Sequence, residues 1–438
     1  MTDGREASDQ ENGETPIQHL VANLFRRSAG AIVASLTRRF GIATLPMVED
    51  AVQDALLEAL RRWPFEGIPR EPAAWLQTVA RRKASDVVRR AQTLARVMGT
   101  VAEPEASPSA AARDEGMWLA EPFPLEDDVL GMLFACCTPS LGRETAMALT
   151  LTVVAGFSAR EAAEAFLVSE STMAQRLVRA KRRLRESGAP VAIPTDAAEL
   201  APRRAQVLGV VYLMFNEGYM ASDGDALVRG QLCGEAARLA VLLAEHPLTS
   251  TPEVHALAAL LLFQLARLPA RTGADGGPIL LEAQDRTTWD PALIAAGLHH
   301  LGRAARGDVL TSLHLQAEIA SRHVLADRYE TTDWAAILQA YDALLEMEPT
   351  VVVQVNRAVA VGKVHGAPSA LAALEEAARV PSSQGYRWFF SVRAHFRAAA
   401  GDSHGARADL RRAAALTRSS PALRWLEERH AALLDSSA

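Results

Sequence analysis

The chain has 438 residues, 49% of them hydrophobic and only 5% aromatic, and its formal net charge is −6. This length exceeds what one hydrophobic core supports, so we expect two to four domains, and the abundance of alanine, leucine and arginine favours an all-α protein. The sequence contains no apolar run of roughly 18 residues and no apolar N-terminal stretch, so we expect no membrane-spanning helix, no signal peptide and a cytoplasmic location.

Basic side chains are concentrated in two segments, although the chain as a whole is acidic. Arginine and lysine cluster at 61–96 and 176–185, whereas the acidic residues are spread more evenly. A distribution of this kind suits a protein that contacts DNA locally and another protein elsewhere.

Helical spacing of apolar residues begins after a polar N-terminal stretch. We predict a first helix that ends at Gly41, a second that opens at Pro46 and ends at Trp63-Pro64, and a third that begins at Pro72. The second helix carries an acidic and apolar stripe, which on its own is typical of an ordinary amphipathic helix. The stripe consists of Glu49, Asp50, Gln53, Asp54 and Leu57.

The third predicted helix has a dense basic face between residues 75 and 90. Its cations are Arg81, Arg82, Lys83, Arg89 and Arg90, and its apolar side is made of Leu76, Val79, Ala80, Val87 and Val88. One face would then pack while the other offers guanidinium groups to DNA phosphates. A solvated charged face is the alternative interpretation.

A helix-turn-helix is predicted at 158–185. Ser158 and Glu161 form a capping box ahead of a helix at 159–166, and Ser171 is the predicted N-cap of the second helix. A recognition helix places its N-terminal residues against base edges and its later cations on phosphates. The core positions of the second helix are Met173, Leu177, Ala180 and Leu184, and the side chains assigned to DNA are Ser171, Thr172, Gln175, Arg176, Arg179, Lys181, Arg182 and Arg183.

The cysteines predict neither a disulfide framework nor a zinc site. There are three of them, and Cys136 and Cys137 are adjacent, which is not the spacing of metal ligands. Their apolar surroundings predict buried structural positions, and Cys233 completes the set.

The long C-terminal region is rich in alanine and leucine and contains a weak repeat. The residues around Asn356-Arg357-Ala358 recur around Val392-Arg393-Ala394, and the whole pattern has an offset of about 35–36 residues. Helix pairs of this period are typical of tetratricopeptide (TPR)-like arrays, whose units stack because none buries its apolar face alone. Between residues 201 and 325 we find helices without a clean period.

A turn-like stretch near the start of this region contains several polar side chains. Asp223-Gly224-Asp225 resembles part of a calcium loop, but the remaining ligands of the twelve-residue pattern are absent, so we expect no metal. We predict that the stretch acts as a regulatory latch that braces the region against the DNA-binding domains. The latch residues are Asn216, Glu217, Asp223 and Asp225.

Composition and turn residues divide the chain into six segments. They are a disordered N-terminus at 1–15, a first domain at 16–98, a linker at 99–124, a helix-turn-helix domain at 125–188, a second linker at 189–200 and a helical TPR-like extension at 201–438.

The two basic segments, in this order, resemble the extracytoplasmic-function (ECF) class of bacterial RNA polymerase sigma factors. Residues 75–90 match the family pattern W-L-x-x-x-A-R-N-x-x-x-D-x-x-R-R, with Arg82 where Asn is common. Residues 169–184 match S-x-x-T-V-x-x-R-L-x-R-A-x-x-x-L, with Met173 where Val is usual. The helix at 49–60 resembles the polymerase-binding helix of the same family.

The resemblance assigns a role to each motif. It implies that the stripe from Glu49 to Leu57 binds core RNA polymerase and that the helix at 171–185 recognises the promoter −35 element. It also implies that the helix at 75–90 captures the melted −10 element, where single-strand binding needs cations along the backbone. The −10 residues are Arg81, Arg82, Lys83, Asp86, Arg89 and Arg90.

The extension narrows the resemblance to the ECF subgroup with a TPR-like C-terminal region, called ECF42. We expect a protein that is not an enzyme and needs no cofactor, with an extension that regulates activity and leaves room for a further regulatory protein as partner. Two alternatives stay open at this point. One is a helix-turn-helix regulator with a TPR-like sensor domain, and the other is a TPR-type scaffold whose basic helices are merely solvated.

Overall fold

The structure is a computed structural model, and it describes residues 16–97, 125–138, 141–166, 168–220, 223–224 and 227–435. Within these ranges there are eighteen α-helices, a π-helical turn, several short 3-10 turns and two strands of two residues each. The predicted all-α fold is confirmed. The predicted disorder at 1–15 and the predicted linker at 99–124 lie outside the described residues.

The chain forms two compact units. The first contains Met1–Ala163 and Val168–Val207, and the second contains Glu164–Leu167 and Leu208–Ala438. The segments predicted as two separate DNA-binding domains therefore share one compact unit.

The helices of the first unit begin with three long ones and continue with shorter ones. They are α1 (Pro16–Phe40), α2 (Leu45–Glu66), α3 (Pro72–Val97), α4 (Leu125–Cys136), α5 (Arg143–Leu149), α6 (Ala159–Phe166), α7 (Glu170–Glu186) and the first half of α8 (Ala197–Tyr219), with the π-helical turn at Thr150–Val154. Gly41, which has a φ of 91°, follows the last residue of α1 as predicted.

The predicted end of α2 at Trp63-Pro64 is wrong, because the helix continues to Glu66. A proline in the last turn removes only its own N–H donor, and the helix tolerates that loss near its end. Gly67 then stops the helix with a φ of 82°, and its N–H donates to the carbonyl of Trp63 over 3.1 Å.

Helix α1 packs very closely against the π-helical turn. A Cβ atom at Gly30 would fall on the carbonyl oxygen of Val154, so no larger side chain fits there without a shift of backbone. Further along α1, Arg38 donates to Asp128 of α4 over 2.6 Å, and Asp128 is 2% exposed. These contacts join the first three helices to those that precede the helix-turn-helix.

The second unit is a succession of helices, each packed on its neighbours. After the second half of α8 come α9 (Gly230–Glu245), α10 (Pro252–Ala266), α11 (Pro291–Ala304), α12 (Ser312–Leu325), α13 (Trp334–Met347), α14 (Val351–His365), α15 (Ala367–Ala378), α16 (Arg387–Ala399), α17 (Ser403–Ala415) and α18 (Ser420–Asp435). A strand β1 (Asp223–Gly224) pairs in parallel with β2 (Arg418–Ser419).

The internal repeat corresponds to two helix pairs, α14–α15 and α16–α17. Small residues at equivalent places are almost fully buried in both pairs, which lets the helices of each pair approach closely. These residues are Ala358 and Ala370 in the first pair, and Ala394 and Ala406 in the second. Helix α13 packs on α14 directly ahead of these two pairs.

Over the described residues, the helices that are long enough to cross a bilayer are not apolar enough to do so.

Candidate nucleic-acid and protein interfaces

The N-terminus of α7 differs from the predicted one. Ser169, not Ser171, is the N-cap, and its hydroxyl oxygen accepts a hydrogen bond from the backbone N–H of Thr172 over 3.2 Å. The two serines are equally good caps by type, but only Ser169 has the extended backbone that an N-cap needs. Ser171 therefore lies exposed in the first turn, beside Thr172.

Helix α7 has one buried face and one exposed face. Met173, Leu177, Ala180 and Leu184 are buried as predicted. The exposed face contains Ser171, Thr172, Gln175, Arg179, Arg182 and Arg183, which brings six of the eight predicted DNA-contacting side chains together. Short polar side chains occupy its N-terminal turn and arginines follow, which is the order a recognition helix requires.

Two of the predicted DNA-contacting residues have acidic partners inside the first unit. Arg176 is half-buried, and its guanidinium lies 3.4 Å from the Glu144 carboxylate of α5. Lys181 donates to Glu49 of α2 over 2.6 Å. Both cations therefore face acidic side chains from other helices of the unit, and their contact with DNA stays a prediction.

The capping box at the start of α6 is confirmed. The backbone N–H of Ser158 donates to the Glu161 carboxylate over 2.8 Å, and the backbone N–H of Glu161 donates to the Ser158 hydroxyl over 3.1 Å. This reciprocal pair fixes the helix-turn-helix entry next to the π-helical turn.

Helix α2 exposes an acidic and apolar stripe. Asp50, Gln53, Asp54 and Leu57 are all exposed and recur at intervals of three and four residues, so they share one face. Leu57 is 50% exposed, which is a high value for a leucine and leaves an apolar spot in that face. Glu49, the fifth predicted member, is only 19% exposed in its side chain and is paired with Lys181.

Helix α3 buries Leu76, Ala80 and Ala84 and exposes Arg82, Arg89 and Arg90. The predicted packing of Val87 is wrong: it is 47% exposed, because the packed face of α3 runs at a spacing of four residues and misses it. The other charged positions vary. Arg81 is half-buried, Lys83 lies 3.3 Å from Glu58 of α2, and Asp86 lies 3.9 Å from Arg89.

The last turn of α2 contains an exposed aromatic residue that the sequence pattern did not indicate. Phe65 is 89% exposed, and Ile68 in the following loop is 44% exposed. Phe65 follows Trp63, which is buried and packs edge-on against Trp75 with ring centroids 5.5 Å apart. The proline between Trp63 and Phe65 predicts a helix end, and such an end gives no direction for the Phe65 side chain.

The predicted latch residues have the following surroundings. Asn216 is exposed at the end of α8, and Glu217 forms an ion pair with Arg229 at 3.2 Å. The backbone of Asp223 belongs to β1, whereas Asp225 lies outside the described residues. The regulatory role of the four stays a prediction. Among the described residues, no cluster of three or more His, Cys, Asp or Glu side chains is placed to hold a metal ion.

The cysteines are buried, as predicted. Cys136, Cys137 and Cys233 are each 0% exposed. Burial raises the pKa of the thiols, to about 12 for Cys137 and Cys233, so they are inert packing groups at neutral pH.

Comparison with known proteins finds family models that match two stretches of the first unit. The family model of Sigma-70 region 2 matches residues 24–93, that of Sigma-70 region 4 matches 132–184, and a family of unknown function, DUF6596, matches 203–305. A protein of Rhizobium meliloti (strain 1021), named uncharacterized protein R00370, is 42% identical over 334 residues, which cover 76% of this chain and 77% of the relative. No solved structure matches the chain.

Proposed function

The chain belongs to the RNA polymerase sigma factors of the ECF type, in one family with the R. meliloti protein, and from that premise we propose which of its surfaces binds each partner. Sigma factors act in transcription initiation as DNA-binding factors, while the polymerase performs the chemistry. In our proposal α2 docks on core polymerase, α3 captures the −10 element and α7 recognises the −35 element. The observation that carries the proposal is that each of these helices has an exposed face of matching chemistry.

The polymerase contact is assigned to the stripe on α2. Asp50 and Asp54 supply negative charge, and Leu57 supplies an apolar spot that water covers in the free protein. Such a surface suits a partner that is basic and partly apolar. Gln53 lies between the acids, and Glu49 joins the stripe once Lys181 releases it.

The −10 contact is assigned to α3 and to the loop before it. Arg82, Arg89 and Arg90 are exposed and can follow a phosphate backbone, with Arg81, Lys83 and Asp86 beside them. Phe65, in the last turn of α2 directly before that loop, offers an aromatic face for an unstacked base. Base stacking on an aromatic ring contributes about 1–3 kcal/mol per base.

The −35 contact is assigned to the exposed face of α7. Ser171, Thr172 and Gln175 lie in the first two turns, from which side chains reach base edges in the major groove. Arg179, Arg182 and Arg183 follow and would contact phosphates. Arg176 and Lys181 can join them after leaving their acidic partners.

The first unit has to open before it can bind both promoter elements. The −35 and −10 elements are centred about 25 base pairs apart, and this spacing corresponds to about 85 Å of B-form DNA. A compact body of about 200 residues is only about 45 Å across. Helices α3 and α7 belong to one such body, so they cannot reach both elements together. We infer that the described arrangement is a closed form, and that polymerase and DNA binding favour an open one.

The extension is proposed to control this opening. This role accords with the ECF42-type organisation, in which a helical extension follows the two sigma regions. A truncation after Val207 tests the role, because it keeps Arg203 and Gln206, which donate to the carbonyls of Phe134 and Thr138 inside the first unit. We expect the truncated chain to transcribe differently from the full chain, and equal transcription would refute the regulatory role.

Co-purification with core polymerase tests the docking surface. Asp50→Arg and Leu57→Arg reverse or add charge on exposed positions, so the fold should survive while holoenzyme yield is lost. Asp308→Arg and Val309→Arg are matched controls, since both residues are exposed in a loop of the second unit and Val309 is 68% exposed. Normal holoenzyme with both α2 variants would overturn the assignment.

Run-off transcription and binding to a promoter library test the DNA contacts. Gln175→Ala should relax sequence preference at one −35 position, at a cost of about 1–3 kcal/mol. Arg183→Ala should instead weaken binding to all sequences and reduce the salt dependence. The same sequence-independent loss in both variants would mean that α7 enters the groove in another orientation.

A further inference from the structure

The second unit contains a cavity of about 300 Å³, outside all surfaces described above, which is lined by helices α12, α13, α14, α16 and α18 and by residues 280–282 and 329. Its wall is rich in aromatic side chains, in a chain that has only 5% of them. Three of the seven tryptophans and two of the five tyrosines meet here. The aromatic lining consists of Tyr329, Trp334, Tyr341, Trp388, Phe396 and Trp425.

Core packing accounts for only part of the surface of these rings. Trp334, Tyr341 and Trp425 pack against the hydrophobic core of these helix pairs, but all of the aromatic side chains except Phe396 are still partly exposed, and they line the cavity. Large rings are costly to leave half-solvated unless something else covers them. A cavity near 300 Å³, mainly apolar with a few convergent polar groups, has the character of a small-molecule site.

The charged groups of the wall carry an excess of positive charge. Lys363 lies 3.6 Å from Glu282 and 4.9 Å from the centre of the Tyr329 ring, so that cation has an acidic partner. Arg429 lies 4.8 Å from the centre of the Trp425 ring, and within the part of the chain that the structure describes it forms no ion pair. Two cations therefore face the cavity against one carboxylate.

Two histidines of the wall add polarity without adding charge. Burial lowers the pKa of His323 to about 3, and it also lowers the pKa of His395. Both rings are therefore neutral at pH 7. Nδ1 of His323 is buried and has no hydrogen-bond partner among the described residues, so a polar group of a ligand could satisfy it.

We propose that this cavity binds a small organic anion, namely a flat aromatic ring that carries a single carboxylate. The ring would lie among the tryptophan and tyrosine faces, and the carboxylate would accept hydrogen bonds from Arg429 and Lys363. A quaternary ammonium ion would also suit aromatic faces, but the two cations would repel it. All residues of this binding site belong to the second unit, so the proposal does not depend on the proposed role in transcription.

Calorimetric titration of the full-length protein tests the proposal. The probes are benzoate, phenylacetate and indole-3-carboxylate, each compared with its uncharged amide, and benzyltrimethylammonium represents the cations. We expect at least one carboxylate to bind about tenfold more tightly than its amide. Arg429→Gln should abolish that difference, whereas Arg411→Gln, at an exposed arginine of α17 outside the cavity, should preserve it.

Glu282→Gln provides a second variant, on a side chain that is 42% exposed and so tolerates change. Removing this carboxylate frees Lys363 and should tighten carboxylate binding several-fold, whereas it would weaken the binding of a cation. Equal affinity for acid and amide overturns the proposal. So does preference for the ammonium probe, a carboxylate affinity unchanged by Arg429→Gln, or no carboxylate binding up to about 10 mM.

Discussion

Lys181 and Glu49 form an ion pair of 2.6 Å that joins the helix assigned to the −35 element with the helix assigned to core polymerase. Each residue belongs to a proposed interface with an external partner. In the closed form the two residues bind each other instead. Their side chains are 25% and 19% exposed, so the pair is largely shielded from solvent. Opening of the first unit would release one charged residue to each partner.

A double-mutant cycle on this pair should report the closed form in solution. We expect Lys181→Met and Glu49→Gln to be coupled by about 1 kcal/mol in urea unfolding, because each single change leaves the other charge without its partner. The reversed pair, Glu49→Lys with Lys181→Glu, should recover most of the stability. Additive effects of the two single changes would show that the pair is not formed in the free protein.

Gly30→Ala should loosen the packing of α1 on the π-helical turn. The new methyl group overlaps the carbonyl oxygen of Val154, and an overlap of this kind costs about 1–3 kcal/mol. Gly234→Ala in α9 is the matched control, because a Cβ there meets open space. The control should gain about 0.5–1 kcal/mol from helix propensity. If both variants were stabilised in thermal unfolding, the close approach at Gly30 would be disproved.

Phe65→Ala should separate folding from promoter opening. The ring is 89% exposed, so its loss should change the unfolding free energy by less than about 0.5 kcal/mol. If the ring stacks on an unpaired base, permanganate reactivity of the melted −10 strand should fall by about tenfold. Val309→Ala serves as the control for loss of an exposed apolar side chain. Unchanged strand opening would remove Phe65 from the −10 interface.

Much of the local structure could be predicted, because it depends on short-range spacing. The apolar positions of α7 recur every three to four residues, and the capping box of α6 involves two residues three apart, so both followed from the chain alone. The Lys181–Glu49 pair joins residues 132 positions apart, and no periodicity links them. The same holds for Arg176 and Glu144, so neither ion pair could be predicted from the sequence.

The stability of the second unit should depend on pH through a buried pair of histidines. Nδ1 of His255 lies 2.8 Å from Nδ1 of His300, and Glu245, Arg303 and His299 act on the pair. Burial, with a smaller effect from His300, lowers the pKa of His255 to about 4 from its ordinary 6.5, and burial also lowers the pKa of His300. The unfolded chain then binds protons that the folded chain does not.

The free energy of unfolding is therefore highest, as far as these histidines are concerned, above pH 6.5, and it decreases as the pH falls towards 4. His255→Gln should make this decline shallower in thermal unfolding measured between pH 7.5 and pH 4.5, and His323 and His395, whose pKa values burial also lowers, account for the remainder. The variant His365→Gln, at an exposed histidine of α14, should leave the decline as steep as in the parent chain. An equally steep decline in the His255 variant would exclude the pair as its source.

The ends of the helices were harder to predict than the helices themselves. Ser169 and Ser171 are both good caps, and backbone geometry rather than residue type decides between them. Pro64 suggested a helix end, but the stop came from Gly67 three residues later. The exposed Phe65 was hidden by that error. The cavity in the second unit was beyond prediction, because its lining comes from several helices.

The pairing of β1 with β2 links the beginning of the helical array to its end. Asp223 is aligned with Arg418 and Gly224 with Ser419, almost two hundred positions further along the chain. An open linear array can lose units one by one from either end, since each contacts only its neighbours. Because β1 and β2 are paired, detachment of the helices between them must also break this pairing, whereas α18 lies beyond β2 and can detach without breaking it. We therefore expect the helices from α9 to α17 to unfold together rather than one pair at a time.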